Sequence, residues 1–383
     1  MECDAMSENI RRIAALGQSL WLDYISRDLL RSGALQGLIE EGITGMTSNP
    51  TIFHKSIAGG SEYDDEIAEL AARGLSAGEI YEQLAMADIG EAADQLRGVY
   101  NETHARDGYV SIEVNPHLAR DTDGTIAEAR RLFHAIGRPN VMIKVPATEA
   151  GLPAITALIG AGINVNVTLI FSIAMYEKVM EAYIRGLRQL QSTGRPLGLV
   201  ASVASFFVSR VDTLVDEQLA ALDAGRGDPQ LAELRGTAAV ANARLAYARY
   251  REVFGSPGFA SLRALGARPQ RPLWASTGTK NPAYSPTKYV DELIGPETVN
   301  TVPLQTLEAI RRQATPACTV DRDPGAAGQV MEQLAAVGID MNAVTARLLT
   351  DGVRLFVDSF DRLLADLEAK RSRLMPAAAA RSS

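Results

Sequence analysis

One lysine stands in an unusual setting for its type. Lys144 lies in the run VMIKVPAT, with apolar residues on both sides and a proline shortly after. Lysines are almost always exposed, and burial disfavours the charged form of an amine. A desolvated lysine is a competent nucleophile toward a ketone, and the iminium it forms pulls electrons from a neighbouring carbon–carbon bond. Such chemistry needs carboxylates to move protons and polar groups to hold a ligand. Asp23 in LDYISR and Glu113 in VSIEVNP are candidates for the first task. Asn49 in GMTSNP, Asn166 and Thr168 in GINVNVTLIFS, and Ser276 in WASTGTKNP are candidates for the second. The plainer alternative is a buried Lys144–Glu113 ion pair with no chemical role. The number of polar groups on other strands favours a site.

These residues must be positioned by strands. Short apolar or alternating runs predict strands at 20–24, 45–48, 109–115, 140–146, 163–169, 198–202, 272–276 and 298–302. Helical patterns separate them, at 26–41, 76–100, 125–135, 150–161, 171–191 and 303–314. Strands alternating with helices imply parallel pairing. Eight such units fit a closed barrel, although periodicity alone also fits an open doubly wound sheet.

Alternation within the strands sorts the faces. Asn164, Asn166 and Thr168 oppose Ile163, Val165, Val167 and Leu169. Ser111, Glu113 and Asn115 oppose Val110, Ile112 and Val114, while Met142 and Lys144 oppose Val141, Ile143 and Val145. The apolar sets should pack under helices. The polar sets then point inward, where they are costly unless they serve each other or a ligand.

Two excursions depart from a plain strand–helix repeat. One, at 54–75, follows the second strand; the other, at about 212–270, is a helical insertion after the sixth. An amphipathic helix at about 342–370, with Val344, Leu348, Val353, Leu355, Phe356 and Leu363 as its apolar set, is expected across the barrel mouth or along its side. Residues 1–370 then form a single domain and 371–383 a disordered tail. The four histidines, His54, His104, His117 and His134, lack metal-ligand spacing and read as solvated or locally satisfied. Gly160–Ala161–Gly162 precedes a strand rather than a helix, so it reads as a helix exit, not a dinucleotide loop.

Bulk properties narrow the partners. The chain has 383 residues, 46% hydrophobic and 22% charged, enough for a large core without staples. A net charge of −8 argues against nucleic acid or an anionic membrane, but leaves room for a small anionic substrate held by a few focused cations. No apolar stretch reaches spanning length, and the start shows no apolar leader segment; Met6 is an alternative first residue. Two cysteines, Cys3 and Cys318, suggest a reducing, cytoplasmic setting.

LDYISR, GMTSNPTIF, VSIEVNP, VMIKVPAT, GINVNVTLIFS, ASFFVSRVD and WASTGTKNP, taken together and in this order, resemble the transaldolase family. The resemblance implies an α/β fold, a (β/α)8 TIM barrel with helical insertions, and a Schiff-base lysine on the fourth strand, where Lys144 falls. It implies that Asp23 takes the C4 hydroxyl proton, that Glu113 works through a water held by Thr168, and that Asn49, Asn166 and Ser205 bind the dihydroxyacetone hydroxyls. Arg210 and Ser276 match phosphate-binding positions. Many family members carry an arginine two residues after that serine; here the position is Gly278, and Lys280 is the nearest substitute. For Arg210 the plainer alternative is a salt bridge to Asp212 or Asp216.

The resulting expectation is a cytoplasmic transaldolase, monomer or homodimer, acting on small phosphorylated sugars without cofactor or metal. A simple aldolase of the fructose 6-phosphate aldolase type, which hydrolyses the enamine, is the nearest alternative. A non-catalytic sugar-phosphate-binding barrel is the more distant one.

Overall fold

Eight parallel strands close into a barrel in chain order. In the computed structural model, which describes residues 2–381 and the side chains of residues 8–375, they are β1 (Gln18–Leu22), β2 (Ile43–Thr47), β3 (Tyr109–Glu113), β4 (Val141–Pro146), β5 (Val165–Ile170), β6 (Ser202–Phe207), β7 (Arg271–Ala275) and β8 (Thr298–Val302). Closure is made by β1 against β8, from Gln18↔Thr298 through Leu22↔Val302, which excludes the open sheet. This is a (β/α)8 barrel with helical insertions. Val110, Ile112, Val141, Ile143, Val145, Val165 and Val167 of the apolar sets are all buried in the core, whereas Leu169 turns at φ +60° and meets the C-terminal helix at Gly352. No helix among the described residues is long and apolar enough to cross a membrane.

The N-terminal end of the barrel is sealed by charge. Arg271, the first residue of β7, pairs with Asp107 at 3.0 Å and donates to Ser19 at 2.8 Å. Asp107 also accepts from Ser19 and from the Trp21 indole. The polar surface of this buried pair is therefore largely satisfied, as an interior ion pair requires.

Several predicted boundaries move. The sixth strand runs from Ser202 to Phe207, not 198–202, because Leu197–Leu199 forms a 3-10 turn and Leu199 is exposed. The run LGLVASVASFF offers more than one strand register, and pairing of Val203–Phe207 with β7 selects the later one. The helix predicted at 26–41 is two helices, Arg27–Arg31 and Ala34–Glu41, broken at Gly33 with φ +84°. The insertion consists of helices Ser209–Asp223, Pro229–Leu234, Ala238–Gly255 and Pro257–Ala264.

The C-terminal helix is longer than expected, Met341–Arg381. The helix runs past the expected boundary at 370, where Arg371 pairs with Glu368 at 2.6 Å. An alanine-rich run reads as low complexity, but alanine is also the strongest helix former. Ser382 and Ser383 lie outside the described residues. Its buried stripe is Val344, Leu348, Phe356, Phe360, Leu363 and Leu367, whereas Leu355 faces solvent.

That helix crosses the C-terminal mouth of the barrel. His54 Nε2 meets Asp366 at 2.7 Å and His117 Nε2 meets Asp361 at 2.7 Å, so two histidines that read as solvated or locally satisfied have partners on a distant helix. Thr51 donates to Ser359 at 3.0 Å. The buried Lys370 ammonium reaches Asp64 at 2.6 Å and the carbonyls of Ile57 and Gly60 in the first excursion.

Candidate active site

Lys144 projects from the middle of β4, beside Glu113 on β3 and Asn166 on β5 in the strand register. It is 5% exposed. Its Nζ donates to the Ser48 carbonyl at 2.9 Å and lies 3.6 Å from Glu113 Oε2, an ion-pair contact too long for a hydrogen bond. The sequence alternative of a Lys144–Glu113 pair is thus present in part, but the pair is loose. Glu113 Oε2 and Thr168 Oγ1 are both buried without a hydrogen-bond partner. Buried polar atoms are rarely left so, and two of them near one amine suit a polar molecule bound between them. Burial pushes the Glu113 carboxyl up to about 7, with Lys144 opposing the rise. A group poised there can both give and take a proton near neutrality.

Asp23 follows β1 directly. Although part of its surface opens onto the cavity, the surrounding protein raises its carboxyl above the ordinary carboxylate range; Lys144 and the Thr47 hydrogen bond oppose this. Thr47 Oγ1 donates to Asp23 Oδ1 at 2.7 Å. Thr47 has one proton, so the 2.6 Å contact with Thr301 must be a donation from Thr301. Thr301, Thr47 and Asp23 form a relay that orients one carboxylate oxygen and leaves the other for a ligand.

The amides divide their work. Asn49 caps the helix Pro50–Phe53 by accepting from the Ile52 amide at 3.0 Å, so its NH2 remains to donate into the cavity. Asn166 lies beneath the cavity surface. It accepts from Ser205 Oγ at 2.7 Å and donates to Ser111 Oγ at 3.1 Å. Ser205 has spent its proton on Asn166 and offers lone pairs to the cavity. Ser276 sits at φ +56°, turned so that its hydroxyl meets Ser209 at 3.0 Å.

One cavity of about 500 Å³ gathers Asp23, Asn49, Lys144, Thr168, Ser205, Arg210, Ser276 and Lys280. Two larger clefts, about 750 and 650 Å³, lie among outer helices, and neither is lined by a barrel strand. Arg210 makes no ion pair with Asp212 or Asp216. Those carboxylates are engaged by Tyr289 and the Ala239 amide, and by Tyr284 and the Gly236 amide. Burial disfavours the Arg210 charge, and Asp23 partly offsets this. A Cβ at Gly278 would stand 3.2 Å from Thr306 Oγ1, so a larger side chain there would need that hydroxyl to shift by a few tenths of an ångström. Lys280 is exposed at the same cavity.

Sequence reasoning missed Thr47, Lys55, Thr301, Gln305 and Phe356, all of which line the cavity. Thr47 stood inside a quoted motif and was legible there. Phe356 carried a coarser signal, as part of the apolar set of a helix expected across the mouth or along the side; its ring centroid lies 5.9 Å from Lys144 Nζ.

Residues 20–367 match the model of the transaldolase/fructose-6-phosphate aldolase family. The chain belongs to this family. Among curated members, it is 49% identical to a transaldolase of Saccharopolyspora erythraea over 362 residues, covering 94% of this chain and 96% of the relative. It is 48% identical to a transaldolase of Parafrankia sp. over 361 residues, covering 94% and 97%, and 48% identical to one of Mycobacterium tuberculosis over 368 residues, covering 95% and 98%. The family match therefore includes the helical insertion and most of the closing helix.

Proposed function

We propose that this chain is a transaldolase that moves a dihydroxyacetone unit from sedoheptulose 7-phosphate or fructose 6-phosphate to glyceraldehyde 3-phosphate or erythrose 4-phosphate. The observation that carries the reading is a buried lysine amine that lines one cavity with Asp23 and lies 3.6 Å from Glu113.

Lys144 Nζ adds to the C2 carbonyl of the donor, and the carbinolamine loses water to give an iminium. Glu113, acting through a water shared with Thr168, supplies and removes the protons of that exchange. Asp23 takes the C4 hydroxyl proton. The C3–C4 electron pair moves toward the iminium nitrogen, an aldose phosphate leaves, and an enamine remains. The acceptor aldehyde is attacked by the enamine carbon, and the same steps run in reverse. Asn49 donates to a substrate hydroxyl, while Asn166 acts by orienting Ser205. Arg210, Ser276 and Lys280 receive the phosphate. The cysteine count suits a cytoplasmic setting, and we expect a monomer or homodimer.

Borohydride treatment in the presence of fructose 6-phosphate, followed by peptide mass spectrometry, tests the reading. The reduced adduct should sit on Lys144; an adduct on another lysine, or none, would overturn it. Comparing free dihydroxyacetone with acceptor-dependent transfer separates this reading from simple aldol cleavage, and the named relatives at 48–49% identity favour transfer.

A further inference from the structure

The closing helix reaches the cavity with one side chain. Among the described side chains of Met341–Arg381, only Phe356 lines it. The ring is 6% exposed and lies over the Lys144 amine at 5.9 Å. Its position is set one helical turn earlier, at Gly352. A Cβ there would stand 3.0 Å from Leu169 Cδ2 and 3.6 Å from the Phe171 ring, so glycine permits the closest approach of the helix to β5. Residues four apart share a helix face, which puts Phe356 inward beside Gly352. Leu169 is itself at φ +60°, next to Thr168. Beyond Phe356 the helix is fastened by Thr51–Ser359, His117–Asp361, His54–Asp366 and Lys370–Asp64. The ring thus belongs to the buried core and also borders the cavity.

We propose that Phe356 is a positioning residue that shields the Lys144-bound enamine from water and thereby favours transfer over hydrolysis. This rests on the Schiff-base reading above. Hydrolysis of the enamine needs a proton added at its nucleophilic carbon. It then needs one water added at C2 and the C2–Nζ bond broken, which frees dihydroxyacetone and the amine. Transfer needs the same carbon to attack an aldehyde before water is added at C2 of the product iminium, so the two outcomes divide at the proton that water would deliver to that carbon. An apolar ring against the adduct removes a hydration site while leaving room for a sugar phosphate to enter from the Arg210 and Lys280 side of the cavity.

The test compares the full chain with F356A and F356L. Borohydride capture by fructose 6-phosphate is read first, then the ratio of dihydroxyacetone released to units transferred in the presence of acceptor. Capture should persist in all three. The ratio should rise about tenfold in F356A, the equivalent of one decade in relative rate, and by less in F356L, which keeps an apolar group but loses the flat ring. General loosening would lower both fluxes together and leave the ratio alone. Capture intact with an unchanged ratio in both variants overturns the proposal; if F356A does not fold, an unchanged ratio in F356L suffices. No capture by the wild-type chain overturns the Schiff-base reading instead, and this proposal with it.

Discussion

At the scale of single residues, the site depends on burial raising two carboxyls close to one amine. Removing the amine in Lys144→Ala should abolish both turnover and borohydride capture. In Asp23→Asn the iminium should still form and be captured, while carbon–carbon cleavage slows by about 10²-fold or more, as expected for loss of a positioned base; stopped capture would show a role before cleavage. Glu113 allows a signed pH prediction. Burial raises its carboxyl from 4.5 to about 7, so the folded chain holds this proton more tightly than the unfolded chain does. Its contribution to stability is complete below about pH 4.5 and is lost as pH rises through 7. Glu113→Gln has no such proton. Relative to wild type, the variant should gain stability between those pH values, on the order of 3 kcal/mol, measurable by urea denaturation at pH 5 and pH 8. The limb of the activity profile near pH 7 should flatten in the same variant.

At the scale of elements, the closing helix is the part most open to disturbance. Lys370 is buried and satisfies carbonyls of a π-helical turn, His54–Ala58, and the residues just after it. Lys370→Met leaves those acceptors and Asp64 without their donor, which should cost about 1–3 kcal/mol in thermal or chemical unfolding. An unchanged melting curve would mean that the fastening is carried by the other contacts. Gly352→Val pushes branched methyl groups into Leu169 and Phe171. Overpacking of this kind should destabilise by about 1–3 kcal/mol and also lower activity, because the same helix carries Phe356.

For the molecule as a whole, the barrel separates chemistry from stability. The cavity opens at the C-terminal ends of the strands, while the Arg271–Asp107 pair seals the other end. Barrel enzymes commonly divide their two faces in this way. Arg271→Met leaves Asp107 buried without its cation and should cost about 3–5 kcal/mol. The kcat of the protein that remains folded should stay at the wild-type level; a large kcat loss under native conditions would show that the two ends are coupled.

Much of this was legible in the residues themselves. Alternation in β3, β4 and β5 assigned inward and outward faces, because side-chain direction along a strand is set by backbone geometry alone. An unusual lysine between valines and isoleucines marked the amine proposed to react. Local signals failed where the chain offered equivalent choices, as in LGLVASVASFF, whose register was decided by partners on β5 and β7. They failed again where partners were far apart in the chain. His54 and His117 carry no local mark of the carboxylates they meet on the closing helix, and Phe356 carries none of the amine it covers. Sequence alone determined which groups could react and which way they face, since both follow from covalent structure and strand periodicity. Tertiary structure decided which of them share a cavity and what shuts water from it, since those depend on long-range packing that no short stretch of chain encodes.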